Sequence, residues 1–158
     1  MRRLGVNRKE SKWLKRKNSK SLSQIISESP RDDNWLRLRT KYLWKTFFGN
    51  VSQDNLVFIR FGRYSRFRLG SIRLERRTKH SFITVTSMFK DPGIPVEVVD
   101  HTIAHELCHY THGFSSTKPR LHKYPHHGGV IKKELESRGM YSLVKAYAKW
   151  LAAYRKTL

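Results

Sequence analysis

The sequence lacks the features of a secreted or membrane protein. Only one of its 158 residues, Cys108, is a cysteine, which excludes an intramolecular disulfide and a zinc site built from cysteines alone. No apolar run approaches the roughly 20 residues that span a bilayer, and no apolar stretch follows the N-terminal charges as it does in a secretory signal. We therefore expect a soluble, cytoplasmic protein with no membrane role.

Acidic residues are also scarce. Twelve Asp and Glu stand against 33 Lys and Arg, which gives a formal net charge of +21. Such a chain is expected to bind a polyanion, and the basic segments contain neither a strongly amphipathic helix nor a lipidation signal that would favour a membrane surface. The expected partner is nucleic acid, with DNA favoured over RNA, and we expect the protein to be a DNA-associated monomer.

The N-terminal segment differs in composition from the rest of the chain. Nine of the first 20 residues are basic and one is acidic, so this stretch cannot bury a core. Residues 1–30 are therefore predicted to be a flexible basic arm, with an organelle-targeting peptide as the alternative. Residues 31–158 are predicted to form one domain.

Hydrophobic periodicity predicts an α+β fold for that domain. Apolar residues at three- to four-residue spacing and helix-stop glycines predict four helices, and short β-branched and aromatic runs predict three strands. We expect the strands to form a small antiparallel meander packed against the helices. The predicted helices are 34–48, 95–112, 128–138 and 142–156; the predicted strands are 57–61, 69–74 and 82–88; residues 114–125 are predicted to be a loop.

The second predicted helix, 95–112, contains the residues that point to chemistry, in the order His105-Glu106-Leu107-Cys108-His109. Two histidines four residues apart lie one turn apart on the same helical face, so both imidazoles can bind one Zn²⁺. Glu106 is then placed to take a proton from a zinc-bound water whose pKa the metal lowers. Cys108 points away from this face and is expected to be a buried packing residue.

A catalytic zinc site needs a third protein ligand. His112 is too far along the helix, since seven residues span about 10.5 Å. Glu134 or Glu136 could supply a carboxylate. The segment His126-His127-Gly128 is the stronger candidate, because it follows a loop and can fold back over the helix that contains His105 and His109. His122 and His126 are themselves expected to be loop histidines.

The element order and these motifs together resemble the SprT-like zinc metallopeptidase family over about residues 34–140. The matching parts are the pair Leu69-Gly70 and the strand Phe82–Thr86 of the meander, the segment Val98–His109 and the pair His127-Gly128. This resemblance implies a zincin-like domain in which His105, His109 and His127 hold one Zn²⁺ and Glu106 is the catalytic base. It also implies proteolysis of proteins at or near DNA. The cysteine-based zinc ribbon of many members cannot exist in a chain with one cysteine, so basic residues would bind the nucleic acid instead.

A basic segment interleaved with aromatic residues follows the first predicted strand. Arginines contact phosphates and aromatic rings stack on exposed bases, so this composition suits single strands or distorted duplexes. The aromatic residues Phe61, Tyr64 and Phe67 equally suit core positions on alternate strand residues. The candidate nucleic-acid-binding residues are Arg60, Arg63, Arg66, Arg68, Arg73, Arg76, Arg77 and Lys79.

The sequence thus predicts a zinc-dependent peptidase that acts on proteins at or near nucleic acid. Two alternatives remain at this stage. One is a nucleic-acid-binding module with a structural zinc, and the other is a zinc hydrolase that cuts a non-peptide bond such as an RNA phosphodiester.

Overall fold

The computed structural model describes residues 21, 24 and 29–158. The basic arm predicted for residues 1–30 therefore lies almost wholly outside the described residues. None of the described helices combines the length and the apolar character that crossing a bilayer requires.

The described part of the chain is α+β, as predicted, and the helix predictions are confirmed to within about two residues. Residues 114–125 form the expected loop. The elements in chain order are α1 (Asp33–Phe47), β1 (Val57–Phe61), β2 (Gly70–Leu74), β3 (Ser81–Val85), a 3-10 turn (Ser87–Lys90), α2 (Val96–Thr111), a second 3-10 turn (His127–Gly129), α3 (Val130–Ser137) and α4 (Tyr141–Arg155).

The three-stranded sheet is mixed, so the predicted antiparallel meander is wrong. The strand order is β1-β3-β2, with β3 parallel to β1 and antiparallel to β2. The most buried strand, β3, with Ile83 and Val85 fully buried, takes the centre. The loop between β1 and β2 is too long for a tight hairpin and crosses the end of β3, where the hydroxyl of Thr86 accepts from the backbone N–H of Ser65 and donates to its carbonyl (both 2.9 Å).

Helix α2 lies at the centre of the domain. It packs against α1, α3, α4 and the strands β2 and β3. Val99, Ile103 and Leu107 are buried in the core, and Cys108 is fully buried as expected. Burial also raises the pKa of the Cys108 thiol, which keeps it protonated. A helix held on so many sides is a rigid platform for the side chains on its remaining face.

A buried ion pair ties α1 to α2 just before the histidine motif. Arg39 donates from Nε to Asp100 Oδ1 at 2.9 Å and from a second N–H to Oδ2. Both residues are buried. Because the two buried charges make paired hydrogen bonds with each other, the pair fixes the position of α2 against α1.

We expect Arg39→Met to lower the free energy of unfolding by about 3–5 kcal/mol, since it leaves a buried carboxylate unpaired. Urea unfolding measures this loss, and adding Asp100→Leu should restore most of it. Burial raises the pKa of Asp100 while Arg39 opposes the rise. In the Met variant the unfolded chain releases this proton at lower pH than the folded chain, so the deficit should shrink as the pH falls towards 4. A deficit independent of pH would instead indicate lost packing alone.

Candidate metal site

His105 and His109 lie on the same face of α2, as their spacing predicted. Their Nε2 atoms are 3.1 Å apart and their rings meet edge to face, with centroids 4.8 Å apart. His109 is buried and His105 is partly buried. The two imidazoles therefore converge at one point at the rim of the core.

A third imidazole reaches this point from the loop that joins α2 to α3. His126 Nε2 lies 3.2 Å from Nε2 of His105 and 2.9 Å from Nε2 of His109. The three residues form a group that could hold a metal ion, and no other such group occurs among the residues that the structure describes. We call His105, His109 and His126 the histidine triad.

The predicted third ligand, His127, lies outside the triad, and the histidine that the structure places beside His105 and His109 is His126. The His127 ring is exposed and meets the Tyr124 ring edge to face at 5.9 Å. Neighbouring side chains of this turn point in different directions, and Gly128 and Gly129 both have positive φ, which only glycine adopts readily. The turn thus directs His126 towards α2, whereas the resemblance had placed His127 there.

The other candidate ligands have partners of their own. Glu134 lies 3.3 Å from His112 Nε2 and accepts hydrogen bonds from Arg138. Burial alone would raise the pKa of Glu134, but its contacts with Arg138 and His112 lower it overall. Glu136 lies 3.9 Å from Lys132, and His122 packs its ring on His112. None of these side chains belongs to the triad.

The helix histidines are neutral near pH 7. Burial, together with the charge of the neighbouring histidines, lowers the pKa of both His105 and His109 to about 4. A neutral imidazole is the form that binds a metal, so these two side chains need release no proton on binding near neutral pH.

Glu106 lies in the same cavity as the triad. The cavity has a volume of about 370 Å³, and its lining includes Glu106, the three histidines and the β2 residues from Gly70 to Ile72. Glu106 is only 5% exposed. Burial raises its pKa to about 7, and the charge of Arg68 opposes this rise.

Gly70 provides the space that Glu106 occupies. A Cβ at position 70 would lie 2.9 Å from Glu106 Oε1 and 2.7 Å from Thr102 Cγ2. Both separations are shorter than van der Waals contact, so this position at the start of β2 needs glycine. Its role follows from the packing of β2 on α2, which the local sequence did not indicate.

A second cavity of about 450 Å³ adjoins the first on the side of α4. His105, Glu106 and Gly70 line both cavities. Its far wall includes His101, which stacks on Tyr147 with ring centroids 3.8 Å apart. Burial lowers the pKa of His101 to about 4, so this ring is a neutral part of the wall.

The eight basic residues predicted to bind nucleic acid are all exposed, in three separate places. Arg66 and Arg68 line the cavities beside Glu106, and Arg63 lies in the same loop. Arg60 and Arg73 lie together on the sheet. The remaining three, Arg76, Arg77 and Lys79, are in the β2–β3 turn.

Comparison with known proteins adds no relative. A scan of protein-family models, a search of curated proteins and a search of solved structures found no match to this chain. The functional conclusion therefore depends on the geometry of the site.

Proposed function

We propose that this chain is a zinc-dependent peptidase of the SprT-like kind that acts on proteins at or near nucleic acid. His105, His109 and His126 would hold one Zn²⁺, and Glu106 would be the catalytic base. The observation that carries the proposal is the convergence of three Nε2 atoms, 2.9–3.2 Å apart, in one cavity with a buried carboxylate.

The donor set fits zinc. Imidazole nitrogens bound to tetrahedral Zn²⁺ at about 2.0–2.1 Å lie about 3.3 Å from one another, close to the separations in the triad. Three imidazole rings, each of which has one N–H in its neutral form, cannot satisfy one another fully at these distances. A cation would accept all three lone pairs. Three protein ligands also leave one tetrahedral position for substrate or water, which is the pattern of catalytic zinc sites.

Glu106 supplies the proton chemistry. A bound Zn²⁺ would polarise a water molecule and the substrate carbonyl. Glu106 would accept the proton of that water and deliver it to the leaving amine. The raised pKa of the Glu106 carboxyl in the metal-free protein suits proton transfer near neutral pH. Packing against Gly70 holds the carboxyl in one position.

The edge of the sheet supports a peptide as substrate. β2 is an outer strand in the order β1-β3-β2, and its residues Gly70, Ser71 and Ile72 line the cavity that contains Glu106. An extended peptide can add to such an edge by main-chain hydrogen bonds. The scissile bond of a bound peptide would then lie beside the triad.

Gly70→Ala tests whether catalysis depends on the position of the Glu106 side chain. The added methyl group must displace the carboxylate or Thr102, so we expect peptidase activity to fall about tenfold, since small misplacements of catalytic groups are costly. Zinc content, measured by mass spectrometry, should not change. Ser71→Ala at the next position is the control and should retain activity; equal loss in both variants would contradict a specific role for Gly70.

The proposed activity is tested with the full chain loaded with one equivalent of zinc. A basic protein crosslinked to single-stranded DNA serves as peptide substrate, and an RNA oligonucleotide serves as phosphodiester substrate. We expect cleavage of the protein alone, loss of that cleavage with a chelator and recovery with added zinc. Cleavage of the RNA instead would indicate a phosphodiesterase, and no cleavage of either substrate by the zinc-loaded chain would indicate a structural metal.

A further inference from the structure

The sheet presents aromatic and basic side chains on the face opposite its core. Ile59 and Ile83 point inward and are buried. Their neighbours alternate to the other face, where Phe58, Phe82 and Arg73 occupy one row across the three strands. Arg60 follows two residues after Phe58 on the same side of β1. Phe58 is 46% exposed, an unusual position for a large apolar ring.

These side chains form a flat surface, which we call the sheet platform: Phe58, Arg60, Arg73 and Phe82. The two phenylalanine rings stack with centroids 5.3 Å apart and planes 21° apart. The guanidinium of Arg73 lies 4.7 Å from the centre of the Phe82 ring. The four side chains line a shallow cavity of about 370 Å³.

A groove between α1 and β1 continues the platform. It has a volume of about 400 Å³ and shares Phe58 and Ile59 with the platform cavity. Arg37 and Lys41 on α1 lie along it. Among the described residues that line the groove and the platform cavity, four are cations and none is an Asp or Glu.

The geometry points to a binding site for single-stranded DNA on this face, with a base stacked on the exposed ring of Phe58, which Phe82 supports from behind, and phosphates on Arg60, Arg73, Arg37 and Lys41. Aromatic rings flanked by cations bind single strands of any sequence, because every base has a flat face and every nucleotide a phosphate. In a duplex those faces are already stacked. A second copy of this chain is disfavoured as the occupant, since it too carries a charge of +21.

DNA suits the platform better than RNA. The platform cavity is lined by aromatic, aliphatic and arginine side chains. The lining of that cavity has no hydroxyl or amide side chain that would recognise a ribose 2′-hydroxyl, and such side chains, Asn34, Thr40 and Gln53, line only the neighbouring groove. This inference specifies the nucleic-acid partner in the proposed function, but it needs neither zinc nor peptidase activity.

The test measures the affinity of the full chain for a fluorescein-labelled 15-nucleotide oligo(dT) by anisotropy at about 50 mM salt. We expect Phe58→Ala to weaken binding roughly five- to a hundredfold, the range for losing one stacked base. Tyr141→Ala is the control, because Tyr141 is also an exposed aromatic residue but lies on α4, outside the platform; this variant should bind as the wild type does. Thermal unfolding and zinc content of both variants should match the wild type.

Two further measurements separate stacking from general attraction. Arg60→Gln with Arg73→Gln should reduce the slope of log affinity against log salt by about 1.4, or 0.7 for each phosphate contact on a single strand. Irradiation of an oligo(dT) carrying one 5-iododeoxyuridine should crosslink Phe58 or Phe82, as identified by mass spectrometry of the peptides.

Wild-type affinity in Phe58→Ala, or equal competition by duplex DNA, would overturn the platform while leaving the proposed peptidase intact. Tenfold tighter binding of oligo(U) would overturn the choice of DNA. Conversely, a working platform on a chain that cleaves no protein would overturn the proposed function alone.

Discussion

His126→Ala is expected to weaken zinc binding by more than about a hundredfold. Replacing a residue that only hydrogen-bonds to a metal ligand already lowers metal affinity by about 10–100-fold, and this change removes a ligand itself. Nε2 of His126 is 2.9 Å from Nε2 of His109. After the substitution only two imidazoles of the triad remain. Competition with a chromophoric chelator measures the affinity. His126 is exposed, and the variant should therefore keep the fold of the metal-free protein.

His127→Ala is the matched control for this experiment. It is the adjacent residue, of the same type and also exposed, and we expect it to retain zinc with nearly the wild-type affinity. The reverse result, with zinc lost from His127→Ala and kept in His126→Ala, would restore the ligand set that the family resemblance implied. Zinc retained by both variants would contradict a ligand from this turn.

Glu106→Gln is expected to lower turnover by at least about a hundredfold, the usual contribution of general acid–base catalysis. The amide keeps the size of the side chain and its fit against Gly70, but it cannot accept the proton of the attacking water. Zinc affinity should stay near the wild-type value because Glu106 is not part of the triad. Steady-state kinetics together with metal analysis separates these two effects.

The corresponding control is Glu136→Gln on α3, which removes the same charge outside the cavity. It should leave turnover unchanged. Full activity in Glu106→Gln would mean that another group is the base. Loss of zinc together with activity would mean that Glu106 supports the metal and would leave its catalytic role without support.

The helices could be predicted from the sequence because their signals are local. The apolar residues of α1 repeat at helical spacing, and α2 ends just before Gly113. Strand positions were equally local, but strand pairing was not. Which strand takes the centre depends on burial across the whole sheet, so nothing within residues 57–61 predicted that β1 would pair in parallel with β3.

Some residues of the metal site could likewise be predicted from a local pattern, and others could not. His105, Glu106 and His109 follow from the geometry of one helix, and their relation is confirmed. The third histidine is set by a turn with two glycines at positive φ, where a change of one residue redirects the side chain. The packing of Glu106 against Gly70 joins two residues more than thirty positions apart in the chain, which no local pattern encodes.

The basic charge could be predicted in amount but not in arrangement. Arg60 and Arg73 lie on the same face of the sheet, on the two strands that flank β3, and this placement depends on the strand pairing. The sequence pattern indicated only that Phe58 and Phe82 lie in strands. Tyr64 and Phe67, expected either to stack on bases or to pack in the core, are exposed in the loop. The exposure of these two residues excludes the core alternative for both.

The most direct test of the central claim is anomalous diffraction at the zinc edge from crystals of the full chain grown with zinc. We predict one peak within about 2.0–2.1 Å of Nε2 of His105, His109 and His126, with the fourth position open to the cavity that contains Glu106. A peak ligated by His127, a fourth protein ligand that closes the site, or no peak at the triad would contradict the account.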